Sequence, residues 1–248
     1  MAAFAPTSTI SGIWQLEMVY IGYFGRAAEV NGYNYWQAEY YQRVNGTYKN
    51  AAGVTQPKQI AADAIASIAS SFGPQAETIA LYPFLGTSIT FPNSDPIVRG
   101  QVTQFVKSVY LNLFNRTLAD TDTGLKYWVD NITSAKDSTS TAILAIANAA
   151  GADGSDQSKA DAAVLNNKIA VSDNFLVTTA AANIGISGTV PASVLAQARA
   201  VLSGVDGTAG SVTAANTAQS NWISSGVGTP GQTFNLTTGV DAFTGGAG

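Results

Sequence analysis

Apolar residues recur at three- and four-residue steps along most of the chain, from about Ser11 to about Ser225. This spacing places them on one face of an α-helix, so the pattern predicts a mainly helical protein. The clearest stripe follows Asp95 and Pro96, which are typical of the N-cap and the first position of a helix. Its apolar members are Val98, Val102, Phe105, Val106, Val109 and Leu113.

The same periodicity predicts further helices on both sides of this one. The most regular of them covers residues 56–72, and Gly73 and Pro74 are expected to end it. The others are expected at residues 13–24, 33–48, 75–85, 122–132, 138–150, 158–181, 191–202 and 213–223. Strand patterns are nearly absent before the C-terminus, which favours an all-α fold class.

A change of composition near residue 228 indicates a module boundary. The segment GVGTPG at residues 226–231 is typical of a linker, and the residues after it no longer follow a helical pattern. We therefore expect a helical domain over residues 1–228, with residues 1–150 and 155–228 as candidate subdomains. Residues 229–248 are expected to form a linker and a short C-terminal β segment.

An internal repeat is the most specific feature of the sequence. Three residues recur at an offset of 90, and after a two-residue insertion three more recur at an offset of 92. Each copy is predicted to form an αα-hairpin, so the fold should be a multi-helix bundle built on two such hairpins. The matched pairs are Tyr20 with Tyr110, Phe24 with Phe114, Arg26 with Arg116, Gly32 with Gly124, Tyr35 with Tyr127 and Trp36 with Trp128.

The composition narrows the classes of function. Charged residues make up only 11% of the chain, its formal net charge is -4, and no run of Lys or Arg could follow a nucleic-acid backbone. The chain has neither Cys nor His, which excludes disulfides, thiolate or imidazole metal ligands and Ser-His-Asp triads. No segment approaches ~18 consecutive apolar residues. We therefore expect a non-catalytic protein with no nucleic-acid partner and no transmembrane segment.

The repeated residues have a structural and a ligand-binding interpretation. Trp36 and Trp128 could stack on sugar rings, but closing the core of each hairpin is the favoured role. Arg26 and Arg116 are expected to hold the loop between the helices through hydrogen bonds to carbonyls or carboxylates. The oxygen donors around Asp122 resemble part of a calcium loop, but this residue is better explained as a helix N-cap.

A cluster of aromatic and basic residues between positions 33 and 48 is the candidate polysaccharide-binding site. Tyr and Arg are favoured at recognition surfaces, and a neutral glycan needs stacking together with neutral hydrogen bonds. The competing interpretation assigns half of these residues to the core and half to solvent. The candidate residues are Tyr33, Tyr40, Tyr41, Arg43 and Tyr48.

The C-terminal string FNLTTGVDAFTGG at residues 234–246 resembles the entry into the β-roll of repeats-in-toxin (RTX) proteins. Gly239, Asp241 and Phe243 match the Gly-x-Asp-x-hydrophobic pattern of that nonapeptide family once. The resemblance implies that Asp241 is a Ca²⁺ ligand, with the remaining ligands supplied by a neighbouring turn that a single copy lacks. Calcium is therefore the expected cofactor, and the sequence looks like a fragment of a longer protein.

The repeated Tyr-x-x-x-Phe-x-Arg, followed by Gly and Tyr-Trp, resembles a domain of unknown function common near the N-termini of such secreted proteins. The order of helical domain, linker and LTTG-x-D is similar to that of Gram-negative S-layer proteins exported by type I secretion. This resemblance implies a secreted structural protein of the bacterial cell surface, whose N-terminal domain binds lipopolysaccharide O-antigen or a related surface polysaccharide. Neighbouring S-layer protomers would be further partners, joined through a calcium-dependent lattice domain.

Two other functions remain open at this point. The chain could be a protein-protein assembly module of a secreted surface or biofilm protein, for which a large apolar surface patch would be the distinguishing feature. It could also be the N-terminal appendage of a secreted RTX enzyme, which a longer sequence would reveal.

Overall fold

A computed structural model describes residues 13–50 and 52–226 of the chain. This part contains ten α-helices and one small antiparallel sheet, which confirms the all-α class. The β segment predicted at residues 229–248 lies outside the described residues. The helices are α1 (Trp14–Phe24), α2 (Val30–Asn45), α3 (Ala61–Phe72), α4 (Ala76–Leu81), α5 (Pro96–Phe114), α6 (Thr123–Thr133), α7 (Thr139–Asn148), α8 (Asp156–Ala181), α9 (Ala192–Ser203) and α10 (Ala209–Ser224).

The helix with the clearest apolar stripe, α5, begins as predicted. The carboxylate of Asp95 accepts a hydrogen bond of 2.8 Å from the backbone amide of Ile97, and Pro96 is the first helical residue. An N-cap of this kind satisfies an amide that has no partner within the helix. All six residues of the predicted stripe are buried.

The predicted boundaries around residues 46–60 were wrong, because a short hairpin separates α2 from α3. Strand β1 (Tyr48–Lys49) pairs antiparallel with β2 (Thr55–Gln56), so Tyr48 and Gln56, expected as the last and first residues of two helices, lie in strands instead. The Oδ1 atom of Asn50 closes the turn by accepting hydrogen bonds from the backbone amides two and four residues later. Such local bonds between a side chain and the backbone favour a turn over continued helix, so the flanking helices end earlier and begin later than predicted.

The helix predicted over residues 75–85 is also shorter than expected. Helix α4 ends at Leu81, and a separate 3-10 helix (Pro83–Gly86) follows it. Pro83 has no amide hydrogen to continue the α-helical ladder, and it disfavours the helical conformation of the residue before it. The chain therefore changes direction at this proline.

Helix α1 lies at the centre of the molecule. It contacts α2, α3, α4, α5, α7 and α8. A helix that is covered on every side must be mainly apolar all round, and the side chains of α1 meet this requirement apart from Glu17, which is also buried. Leu16, Met18, Val19, Ile21 and Tyr23 are all fully buried.

The two predicted hairpins are present as α1–α2 and α5–α6. Both first helices end at a residue in the left-handed conformation, Gly25 with φ 61° and Asn115 with φ 56°. Gly and Asn are the residues that adopt this conformation most readily. The side chain of Asn112 donates a hydrogen bond of 3.0 Å to the carbonyl of Gly22, its counterpart in the other repeat. The two repeats are therefore joined at matching positions.

The long helix α8 connects the repeats to the last two helices. It packs against α1, α5, α9 and α10, and its Leu165, Ile169 and Phe175 belong to the same hydrophobic core as α1 and α5. The 26 residues of α8 thus cover both repeats. Within the described part of the chain, no helix combines the length and the apolar character needed to cross a lipid bilayer.

Candidate functional site

Four of the five residues proposed from sequence as a polysaccharide site lie on different sides of α2, and the fifth, Tyr48, lies in β1. Tyr33, Tyr40 and Arg43 are separated by seven and three residues, so they share a face of the helix. Tyr33 is 3% exposed and Arg43 is 9% exposed, whereas Tyr41, on another face, is 46% exposed. The structure therefore does not gather these residues into one open surface.

Arg43 and Tyr48 do contact each other, but in a way that supports the fold. The guanidinium of Arg43 lies 4.4 Å from the centroid of the Tyr48 ring, and it donates hydrogen bonds to Ser67 and Glu39 at 3.1 and 3.3 Å. Its backbone carbonyl accepts a further bond from Gln59. This residue ties the hairpin and α3 to α2.

A cavity of about 540 Å³ opens where α1 and α2 meet the junction of α3 and α4. We call it the first-repeat cavity, because repeat residues form much of its wall. Its volume lies within the range of roughly 300–1,000 Å³ that is usual for small-molecule sites. The cavity is lined by Tyr20, Phe24, Arg26, Glu29, Asn31, Gly32, Tyr35, Trp36, Phe72, Gln75, Ala76 and Glu77.

Arg26 organises the polar wall of this cavity. Its guanidinium binds both carboxylate oxygens of Glu77, at 2.9 and 2.7 Å, and one oxygen of Glu29 at 2.5 Å. It also donates to the carbonyl of Ala27 at 2.9 Å, which confirms the predicted role of this arginine in holding the loop. Burial by itself would lower the pKa of Arg26, but the two carboxylates outweigh it and raise the pKa above its ordinary value.

The charges around Arg26 balance. Arg199, on α9, donates a hydrogen bond of 2.6 Å to Glu77, so two arginines face two glutamates. A charged ligand would have to break one of these pairs to find a partner of opposite sign. A neutral, hydroxyl-rich ligand could instead add hydrogen bonds to groups that are already oriented.

Two aromatic rings of the repeat motif border the same cavity. Tyr35 is 59% exposed, and its ring meets that of Trp36 edge to face, with centroids 4.8 Å apart. Trp36 packs in turn on Phe72, at 5.1 Å, which confirms its predicted place against the core, although the ring it meets belongs to α3. Tyr35 was not among the candidate binding residues, and its recurrence as Tyr127 was the signal that could have identified it.

The second repeat has a corresponding arrangement. Arg116 donates a hydrogen bond of 2.8 Å to Asp161 and forms an ion pair of 3.5 Å with Asp122, which confirms its predicted role in the loop. Asp122 also accepts a bond of 3.0 Å from the amide of Leu125, so the predicted N-cap is confirmed. Trp128 donates from its indole nitrogen to the hydroxyl of Tyr110 at 3.1 Å.

The described residues contain no acidic cluster of the kind that forms a calcium site. Among residues 13–50 and 52–226, no three side chains of His, Cys, Asp or Glu come together as a metal site. Asp241, the candidate Ca²⁺ ligand, lies outside the described residues.

Comparisons with known proteins identify no relative. No family model matches the chain, and neither a curated protein nor a solved structure matches it.

Proposed function

We propose that the helical domain is a non-catalytic anchoring domain of the S-layer type, which binds lipopolysaccharide O-antigen or a related neutral surface polysaccharide. The first-repeat cavity would hold a sugar unit of that polymer. The observation that carries this proposal is the exposed ring of Tyr35 beside Trp36, on the border of a cavity with a charge-balanced polar wall. An aromatic face offers the apolar surface on which a pyranose ring stacks, and the wall offers partners for its hydroxyls.

The roles of the polar side chains follow from their positions. The carboxylates of Glu29 and Glu77 would accept hydrogen bonds from sugar hydroxyls through lone pairs not used by the arginines. Arg26 would orient both carboxylates without contacting the ligand, since its side chain is only 3% exposed. Groups that are already oriented lose little conformational entropy on binding, which favours affinity.

The wider setting of the domain is part of the same proposal. The chain's low charge, together with the RTX-like string that contains Asp241, supports a secreted surface protein whose lattice depends on calcium. In a lattice many copies would bind the same surface, so a weak affinity at each site would be sufficient for attachment. Binding of the sugar itself would not need calcium, because arginines already pair with both carboxylates that line the cavity, Glu29 and Glu77.

Replacing Tyr35 tests the site directly. We expect Tyr35→Ala to weaken binding of the 248-residue chain to smooth lipopolysaccharide at least ten-fold, because the stacking surface is lost. Thermal stability should change little, since the ring is mostly exposed. Titration calorimetry against smooth lipopolysaccharide and the rough form without O-antigen, each with and without chelator, is the measurement.

Tyr41→Ala is the matched control for this experiment. It removes an exposed tyrosine from the same helix, but Tyr41 does not border the cavity. We expect its affinity to stay within about two-fold of the unmodified protein. Equal losses in the two variants would place binding on the originally predicted surface, and no binding of the unmodified chain to smooth lipopolysaccharide would disprove the proposal.

The assembly module is supported less well by the exposed apolar residues. The largest on α5 are Ile97 and Leu111, which are 72% and 51% exposed. They share a face of the helix but lie 14 residues apart, roughly 21 Å at 1.5 Å per residue, with polar residues between them. Scattered apolar side chains of this kind are normal on a protein surface.

A further inference from the structure

We infer that the second repeat forms a second carbohydrate site, so that one domain binds two segments of the same neutral polysaccharide. This inference rests on the proposed function. The site is a cavity of about 300 Å³, where the end of α5 meets the junction of α7 and α8. The exposed ring of Tyr127 does not line this cavity but is linked to its wall through Trp128, whose indole nitrogen donates a hydrogen bond to the hydroxyl of Tyr110. Among the residues that border this second-repeat cavity are Tyr110, Arg116, Gln157 and Asp161.

The aromatic pair has the same geometry in both repeats. Tyr127 meets Trp128 edge to face at 4.9 Å and 81°, and Tyr35 meets Trp36 at 4.8 Å and 79°. The two tyrosines are also equally accessible, at 56% and 59% exposure. An exposed tyrosine contributes little to packing, so its repetition in one geometry points to a shared role in recognition.

The arginine packs on the equivalent tyrosine ring in both repeats. The guanidinium carbon lies 5.3 Å from the Tyr110 ring centroid for Arg116, and 5.1 Å from the Tyr20 ring centroid for Arg26. Each guanidinium also binds a carboxylate on the second helix after its hairpin. Arg26 binds Glu77 of α4, and Arg116 binds Asp161 of α8. The similarity therefore extends beyond the hairpins to units of four helices, α1–α4 and α5–α8.

The carboxylates show this correspondence. Glu77 lies in the first turn of α4, and Asp161 lies near the start of α8, each facing the arginine of its own unit. Gln157, one turn before Asp161, donates a hydrogen bond of 2.8 Å to the other oxygen of that carboxylate. The wall of each cavity thus holds one matched tyrosine of the repeat, Tyr20 or Tyr110, beside an arginine and a carboxylate whose orientation is fixed.

The two sites differ in which groups they leave open to a ligand. The side chain of Arg26 is 3% exposed, whereas that of Arg116 is 29% exposed. Arg116 makes one short contact, with Asp161, where Arg26 makes three with its glutamates. The second site therefore presents N–H donors to sugar oxygens, while the first presents mainly carboxylate acceptors.

Two sites on one rigid domain change how a polymer binds. Once one segment of a polysaccharide is held, the next segment is present at a high effective concentration near the other site. The polymer should then bind at least ten-fold more tightly than a short piece that can occupy only one site. This gain needs no contact beyond those of the two sites.

Calorimetric stoichiometry tests the inference. The probe is an oligosaccharide of one or two repeating units released from the O-polysaccharide, titrated into the 248-residue chain. We expect two oligosaccharides per chain for the unmodified protein, and one for Tyr35→Ala, Tyr127→Ala or Gln157→Ala. Each of these single variants should also lose the ten-fold gain for the whole polymer, and Tyr41→Ala should keep it. Thermal melts establish that every variant is folded.

The outcomes separate this inference from the proposed function. One oligosaccharide per chain, lost in Tyr35→Ala and kept in Tyr127→Ala, overturns the second site and leaves the first in place. If the unmodified protein binds two oligosaccharides and Tyr127→Ala and Gln157→Ala also bind two, the second site does not lie at the second-repeat cavity. No binding of either oligosaccharide or polymer overturns both proposals.

Discussion

Glu17 is a carboxylate inside the central helix, with no exposed surface. Ser172 of α8 donates a hydrogen bond to its Oε2 atom, and no partner for Oε1 lies within the described part of the chain. Burial raises the pKa of Glu17 to about 8, with smaller contributions in the same direction from Asp173 and Glu29. The folded protein therefore keeps Glu17 protonated at neutral pH.

This shift makes stability depend on pH. The unfolded chain releases the proton of Glu17 near pH 4.5, the ordinary pKa of the group, whereas the folded protein retains it up to about pH 8. Between these values the folded state binds more protons, so stability falls as pH rises, by roughly 1.4 kcal/mol per pH unit for one proton. Above pH 8 the folded and the unfolded protein have both released this proton, so Glu17 no longer makes stability depend on pH.

Lys168 has the opposite effect on the pH dependence of stability, and this effect occurs at higher pH. Burial lowers its pKa from 10.5 to about 8, and its ammonium group donates a hydrogen bond of 2.6 Å to the carbonyl of Asn112. Between pH 8 and 10.5 the unfolded chain binds more protons, so this residue makes stability rise with pH. Together the two groups place a stability minimum near pH 8.

Replacing Glu17 tests this account. We expect Glu17→Gln to remove most of the fall in unfolding free energy between pH 5 and 8, because the amide does not titrate. Urea denaturation at half-unit pH steps is the measurement. Asp63→Asn, which changes an exposed carboxylate on α3, should leave the slope unchanged. An equal slope in Glu17→Gln and the unmodified protein would show that another group carries the dependence.

At the scale of the element, glycines within helices mark where helices approach closely. Gly22 lies in α1, and a Cβ atom there would be 2.5 Å from the Cγ2 atom of Ile143 on α7. Gly100 lies in α5 with no atom within 4 Å of the same position. The first glycine is therefore required by packing, whereas the second only weakens its helix.

Substitution by alanine should have opposite effects on stability at the two positions. We expect Gly100→Ala to stabilise the protein by about 0.5–1 kcal/mol, because alanine favours the helix. Gly22→Ala should destabilise it by about 1–3 kcal/mol, because the buried Ile143 has no room to move. Thermal or urea unfolding of both variants is the measurement, and a change of the same sign in both would contradict this explanation of Gly22.

At the scale of the whole molecule, one hydrophobic core joins the two repeats and the C-terminal helices. It includes Ile21 of α1, Val109 of α5, Phe175 of α8 and Val201 of α9. The segments considered as subdomains, residues 1–150 and 155–228, therefore bury residues against each other. A protein with a shared core of this kind is expected to unfold in one step.

Calorimetry tests this cooperativity. We expect a single transition for the 248-residue chain, with a van't Hoff enthalpy close to the calorimetric enthalpy. A chain that ends at residue 150 should fail to form a stable fold, because removing α8 would expose the apolar faces of α1 and α5. Two separate transitions would instead support independent subdomains.

The sequence by itself determined the helical class, most of the helices, the caps at Asp95 and Asp122 and the two hairpins. These features depend on residues a few positions apart, whose spacing is visible in the chain. The repeat also identified Arg26 and Arg116 as loop-holding residues, because its spacing placed each at the end of a helix.

Only the tertiary structure decided where these arginines find their carboxylates and which tyrosines remain exposed. Arg26 binds Glu77 across 51 residues, and Glu17 meets Ser172 across 155. Pairs so far apart depend on how the helices pack, which local periodicity does not specify. The same packing turned Tyr33 and Arg43 inward and left Tyr35 at the border of a cavity, so the site differs from the one that composition suggested.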